Sequence, residues 1–176
     1  MKSFVVAMVG LLIASAMPGL AAPQSRLSTT QLLAEIQARG ARRVLHAYYD
    51  TKAWSLSVMP GVRSASEDWL TVAVKLKAVA DGAAGEDLDL ALYGALANNP
   101  FRVLPVLEQL YGGPVDQLCN VSFEAELPKQ GVVPYISSIR AKLASARSAA
   151  DREVAAACTR GLELSLETAK AQGLVK

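Results

Sequence analysis

The stretch that most constrains this chain is residues 66–111, where apolar side chains recur at helical spacing three times in succession. Trp69, Leu70, Ala73, Val74 and Leu76 form the first set. Leu88, Ala91, Leu92, Ala95 and Leu96 form the second, and Val103, Leu104, Val106, Leu107 and Leu110 the third. Steps of three and four residues place each set on one face of a helix. A helix with one apolar stripe is not stable by itself, so the three must bury their stripes on one another or on their neighbours. Punctuation agrees with this division. Ser66, or Ser64 with Glu67 as a capping box, starts the first helix, and Asp81-Gly82 stops it. Gly85-Glu86-Asp87 is expected to open the second, its acids facing the positive end of the helix dipole. Asn99 and Pro100 suit the N-cap and first position of the third, which Gly112-Gly113-Pro114 ends.

The flanking segments extend the same pattern. Ser28 with Gln31 reads as a capping box, and Leu32, Leu33 and Ile36 give the following helix a buried face as far as Gly40. Ala41, Val44, Leu45, Tyr48 and Tyr49 continue the spacing to Asp50, with Gly40 either dividing two helices or lying inside one. Residues 51–65 break the rhythm. Met59-Pro60-Gly61 carries turn chemistry, with at most one helical turn expected over 53–58. A short helix near 115–119 leads to a loop over 120–134, anchored by Phe123, and two helices close the chain at 134–147 and 150–171. No strand pattern competes. The expected fold is all-α, a single domain spanning 28–176, built of six to eight short packed helices as a repeat-like stack or an irregular bundle.

The N-terminus reads differently. Met1-Lys2, the uncharged apolar run from Phe4 to Ile13 and the small residues around Gly19-Leu20-Ala21 have the anatomy of a secretory signal peptide. The expected cleaved segment is 1–21, followed by a short flexible tail at 22–27. The apolar run is shorter than the roughly 20 residues a membrane span needs. The chain is thus expected in the periplasm or secreted, and not as an integral membrane protein. Two cysteines, Cys119 and Cys158, make one disulfide the expected state in an oxidising compartment, with two free thiols as the alternative. The formal charge of +2 falls by one with loss of Lys2, and interspersed charges of both signs are not a nucleic-acid footprint.

Sites of chemistry are scarce. His46 is the sole histidine, which excludes a histidine cluster for metal and any two-histidine relay. Glu67, Asp68, Asp81, Glu86, Asp87 and Asp89 could serve acid/base work, but most sit where helix capping explains them. The 81–89 stretch lacks the alternating acids of a calcium loop. Neither a phosphate-binding glycine loop nor a nucleophile elbow occurs, so no catalytic, metal or cofactor residue is assigned. One cluster has the composition of an interaction surface: Tyr48, Tyr49, Trp54 and Met59, with Arg63 close by. The plainer reading is that these residues pin the 51–65 segment to the core.

In chain order, Trp69-Leu70, Ala73, Leu76, Asp81, Leu88, Ala91-Leu92, Ala95-Leu96, Asn99-Pro100, Val103-Leu104, Cys119 and Cys158 form a pattern that resembles small exported proteins of Gram-negative bacteria. Those proteins are Ala-rich, all-helical and loosely HEAT-like. The resemblance implies a periplasmic helical-repeat-like fold and carries over no catalytic residue. The expected function is non-enzymatic: binding another protein of the cell envelope, as an immunity or inhibitor protein or an assembly factor. A carboxylate-dependent hydrolase and a lipid-facing structural protein are the alternatives.

Overall fold

The computed structural model describes residues 27–123 and 128–175. The expected signal peptide, and the 22–27 tail apart from Leu27, lie outside them. Among the described residues the chain forms nine α-helices and no strand, packed as one domain. They are α1 (Thr29–Arg39), α2 (Ala41–Tyr48), α3 (Met59–Arg63), α4 (Glu67–Lys77) and α5 (Gly82–Leu96), then α6 (Pro100–Tyr111), α7 (Val115–Leu118), α8 (Val132–Leu143) and α9 (Ala149–Ala171). The element beyond the six to eight expected is α3, inside the segment that read as irregular.

That segment is the largest departure from the sequence pattern. Residues 54–58 form a π-helical turn, closed by Met59 N–H donating to Trp54 O, and α3 follows without a break. A proline inside an α-helix lacks its donor, and its ring collides with the carbonyl four residues back. The wider π-turn just before Pro60 absorbs that conflict, so Met59-Pro60-Gly61 continues a helix instead of turning the chain. Gly61 is needed for a different reason. A Cβ there would lie 2.3 Å from the Trp69 ring, so α3 and α4 approach as closely as they do only with a bare backbone at this point.

Gly40, at φ 85°, separates α1 from α2 and decides that open point in favour of two helices. Ser28 caps α1 by accepting from Gln31 N–H, while the Gln31 amide donates along the helix to Glu35. The second central helix begins at Gly82, three residues before the Gly85 expected from its acids, with Asp81 as its extended N-cap. Glu86 and Asp87 therefore stand in its second turn, beyond the reach of a dipole argument. α8 starts at Val132, so Pro134 lies within its first turn.

The core runs through the whole domain. Leu32, Val44, Val58, Val62, Leu76, Leu88, Leu92, Leu96, Leu107, Ile136, Ile139 and Leu162 are essentially solvent-free, drawn from eight of the nine helices or the π-turn. α1 and α2 pack on α4, α3 on α5, and α6 joins this group to α7 and α8. α9 covers α7 and α8. Cys119 and Cys158 form the disulfide, with Cα atoms 5.1 Å apart, and tie the end of α7 to α9. The approach is tight: a Cβ on Gly161 would stand 2.1 Å from the Asp116 carbonyl oxygen. Next to it the fully buried Ser165 hydroxyl accepts from Val121 N–H at 2.7 Å. No helix among the described residues is long and apolar enough to cross a membrane.

Candidate functional site

The carboxylates of 67–89 do not converge. Glu67 and Asp68 occupy the exposed first turn of α4, and Asp81 is the N-cap residue of α5. Asp87 accepts from Trp54 Nε1–H at 2.9 Å, which fastens the π-turn to α5. Asp89 pairs with Lys77 Nζ at 2.6 Å and also accepts from the Tyr111 hydroxyl. The same Lys77 ammonium donates to Gly85 O at 3.0 Å and stands 5.8 Å above the Tyr111 ring. Burial first, and then the hydrogen bond to Asp89, push the Tyr111 phenol far above its ordinary range. These acids hold helices together. Among the described residues no group of three or more His, Cys, Asp or Glu could hold a metal ion, and His46 is exposed on α2.

The aromatic cluster divides in the same way. Trp54 is 4% exposed and Met59 8%, both core residues. Tyr49 meets the Trp54 ring edge-on at 5.3 Å, and Tyr48 donates its hydroxyl to Glu35 at 2.8 Å. Four of the five residues thus act to seat the π-turn and α2 on the domain, and Trp54 and Met59 have almost no surface to offer a partner. Arg63 is the exception. Its stem lies along Gly94 of α5, and its backbone carbonyl accepts from Asn98 Nδ2 at 2.7 Å.

Arg63 opens onto a cleft of about 400 Å³ lined by α5, α8, residues 121–123 and residues 128–130. Tyr135 of α8 donates its hydroxyl to Tyr93 O of α5 at 2.6 Å, which fixes the floor where the two helices meet. Phe123 packs edge-on against Tyr135 at 6.0 Å. Tyr93 stacks on Tyr111 at 6.5 Å, its phenol raised by burial and then by the Asp89 charge, so its hydroxyl stays a neutral donor. Gly94 adds no side chain and leaves the cleft open down to the α5 backbone. Arg63 and Lys129 supply positive charge at the rim, beside the amides of Asn98 and Gln130 and the Ser138 hydroxyl, and no carboxylate is among the described lining residues. Neither cation is ion-paired among the described residues. This is the makeup of a binding site: apolar walls with a few convergent polar groups, in the size range of ligand pockets.

A second depression of about 360 Å³ lies between α4 and α6, with Glu67, Lys75 and Arg102 on its walls. Its charges are mixed and its character is that of an ordinary helix–helix groove. Of the candidate partner-binding residues the sequence singled out, only Arg63 reaches the larger cleft. Tyr93, Lys129 and Tyr135 had no distinguishing signal, because their spacing reads as core or loop, and Phe123 read only as the apolar anchor of its loop. Gly94 offered a hint, as a glycine in the middle of a helix costs about 1 kcal/mol and calls for a packing or functional reason.

Compared with known protein families, curated proteins and solved structures, the chain finds no match.

Proposed function

We propose that this protein is a non-enzymatic binding protein of the cell envelope, exported to the periplasm or beyond, whose α5/α8 cleft engages another polypeptide. The observation that carries this reading is the Arg63–Lys129 cleft, with aromatic walls and two rim cations that form no ion pair among the described residues. Neutralising unpaired charge and covering aromatic surface are what a partner would contribute there. The disulfide fits an oxidising compartment, where such bonds persist. Neither an immunity or inhibitor role nor an assembly role demands a cofactor. Both use a preformed surface on a rigid helical scaffold.

The hydrolase alternative loses ground because Asp87 and Asp89 are committed to Trp54, Lys77 and Tyr111. The lipid-facing alternative asks for one wide apolar face on a helix. The large exposed apolar residues among those described are scattered, Leu56 in the π-turn, Tyr111 on α6, Val133 on α8, Leu164 on α9 and Leu174 beyond its end.

The test is site-specific cross-linking in envelope extract. A photo-reactive residue replaces Gln130 at the cleft rim in one protein and Gln37 on α1 in another, α1 being packed on α2 and α4. A discrete protein adduct from position 130 and none from 37 is the expected outcome. Equal labelling at both positions, or none at either, would overturn the reading.

A further inference from the structure

We infer that a second copy of this chain docks on the face formed by α4 and α6, with the two α4 helices antiparallel about a two-fold axis. The groove between α4 and α6, of about 360 Å³, has an apolar floor of Leu70, Val74 and Val106. Its mixed charges are ordered along its length. Lys77 at the end of α4 and Tyr111 at the end of α6 both meet Asp89, so the two helices run in the same direction. Glu67 therefore shares one end of the groove with Arg102, and Lys75 shares the other with Gln109. On α4 itself Glu67, Thr71 and Lys75 follow at four-residue steps, which places them in one row. All three are exposed.

A row that reads acid, neutral, base is its own complement when a second copy is laid against it in the opposite sense. Glu67 then faces Lys75 of the second copy, Lys75 faces its Glu67, and Thr71 lies beside its own counterpart at the axis. Two-fold symmetry makes each favourable pair occur twice. The neighbouring charges keep this balance. Asp68, exposed in the first turn of α4, offsets Arg102 at the same end, and Glu108 is not among the residues that line the groove. Neither Glu67 nor Lys75 forms an ion pair among the described residues. Every lining residue belongs to α4 or α6, and none adjoins residues 1–26 or 124–127 in sequence. The groove shares no lining residue with the α5/α8 cleft, so self-association here stands apart from partner binding there. Exposed ion pairs are individually weak, and covering Val74 and Val106 adds a modest apolar contribution. A dissociation constant on the order of 100 μM is expected, in the class of small transient interfaces.

The experiment is sedimentation equilibrium of the purified protein from about 10 μM to 1 mM, at low and at high salt. The parent should pass from monomer to dimer across that range, and added salt should shift it back towards monomer. Glu67→Lys and Lys75→Glu should each weaken self-association by about tenfold or more, because each sets like charges opposite one another. The double variant Glu67→Lys/Lys75→Glu carries the same row reversed and should dimerise again. An equimolar mixture of the two single variants should form a heterodimer, since one copy then presents two bases and the other two acids. Circular dichroism of each variant checks that the fold persists. A dimer indifferent to both single reversals, or a double variant as weak as the singles, would rule out this face as the interface. A parent that stays monomeric throughout the range would overturn self-association. If a photo-reactive residue in place of Thr71 then captured a discrete foreign protein from envelope extract, the groove would belong to that protein instead.

Discussion

Gly161, Gly61 and Gly94 sit in three different helices, and each meets a different neighbour. At Gly161 a new Cβ would press on the Asp116 carbonyl oxygen at 2.1 Å, a backbone atom held by α7 and the nearby disulfide. At Gly61 it would strike the Trp69 ring at 2.3 Å, and that ring is half-buried with some room to turn. At Gly94 nothing comes nearer than the Arg63 stem at 3.4 Å. Overpacking costs about 1–3 kcal/mol where neighbours cannot yield, whereas alanine gains up to about 1 kcal/mol of helix propensity over glycine. Gly161→Ala should therefore destabilise most, Gly61→Ala less, and Gly94→Ala should be neutral or stabilising. Thermal unfolding of the three variants gives the order directly, and a Gly161→Ala protein as stable as Gly94→Ala would contradict the packing described here. The sequence pattern read Gly61 as part of a turn and gave no reading of Gly94 or Gly161. Which ones tolerate a side chain depends on what another helix brings against them.

Between elements, α8 is tied to α5 by a directed contact, Tyr135 O–H donating to Tyr93 O. Tyr135 is only 3% exposed, and burial followed by the influence of Tyr93 pushes its phenol well above the ordinary value of 10.0. The remaining tyrosines, Tyr48, Tyr49, Tyr93 and Tyr111, are shifted the same way. A raised folded-state value means that the unfolded chain gives up its proton first as the solution becomes alkaline. The stabilisation is complete below about pH 10 and is lost progressively as pH rises through the folded-state range. Tyr135→Phe should cost about 0.5–1.5 kcal/mol near neutrality, the worth of the lost hydrogen bond. It should also flatten the alkaline fall in stability. Denaturant unfolding at neutral and alkaline pH compares the two slopes. Identical slopes in variant and parent would show that Tyr135 does not titrate as argued.

On the scale of the whole molecule, the disulfide joins the two ends of the C-terminal part across a sequence separation of 39 residues. Constraining a loop of that length in the unfolded chain is worth about 4 kcal/mol on the chain-entropy account. Both sulfurs are completely buried, so a reductant gains access only when α7 and α9 part. Reduction should therefore be slow under native conditions and should lower the unfolding midpoint in guanidinium substantially. An unchanged midpoint after confirmed reduction would mean that the α7–α9 packing around Gly161 and Ser165 suffices alone.

What the sequence determined by itself is the set of helices and the residues they bury, because a 3.6-residue repeat and capping chemistry act over a few neighbouring positions. Ser28, Asn99 and Gly112 mark helix ends where the local rules place them, and Leu88, Leu92, Leu107 and Leu162 are buried as their spacing requires. The disulfide was legible from the count of cysteines. Tertiary structure decided the rest. The 54–63 segment is helical because a π-turn accommodates Pro60 while Trp54 reaches Asp87, 33 residues away. Glu86 and Asp87 left the helix start because Gly82 could extend α5 backwards. The cleft joins Arg63, Tyr93, Lys129 and Tyr135 from four separate parts of the chain. No local pattern records that meeting, since it depends on how α8, packed on α6 and α9, is brought to face α5, where Tyr135 reaches Tyr93 across 42 residues of chain.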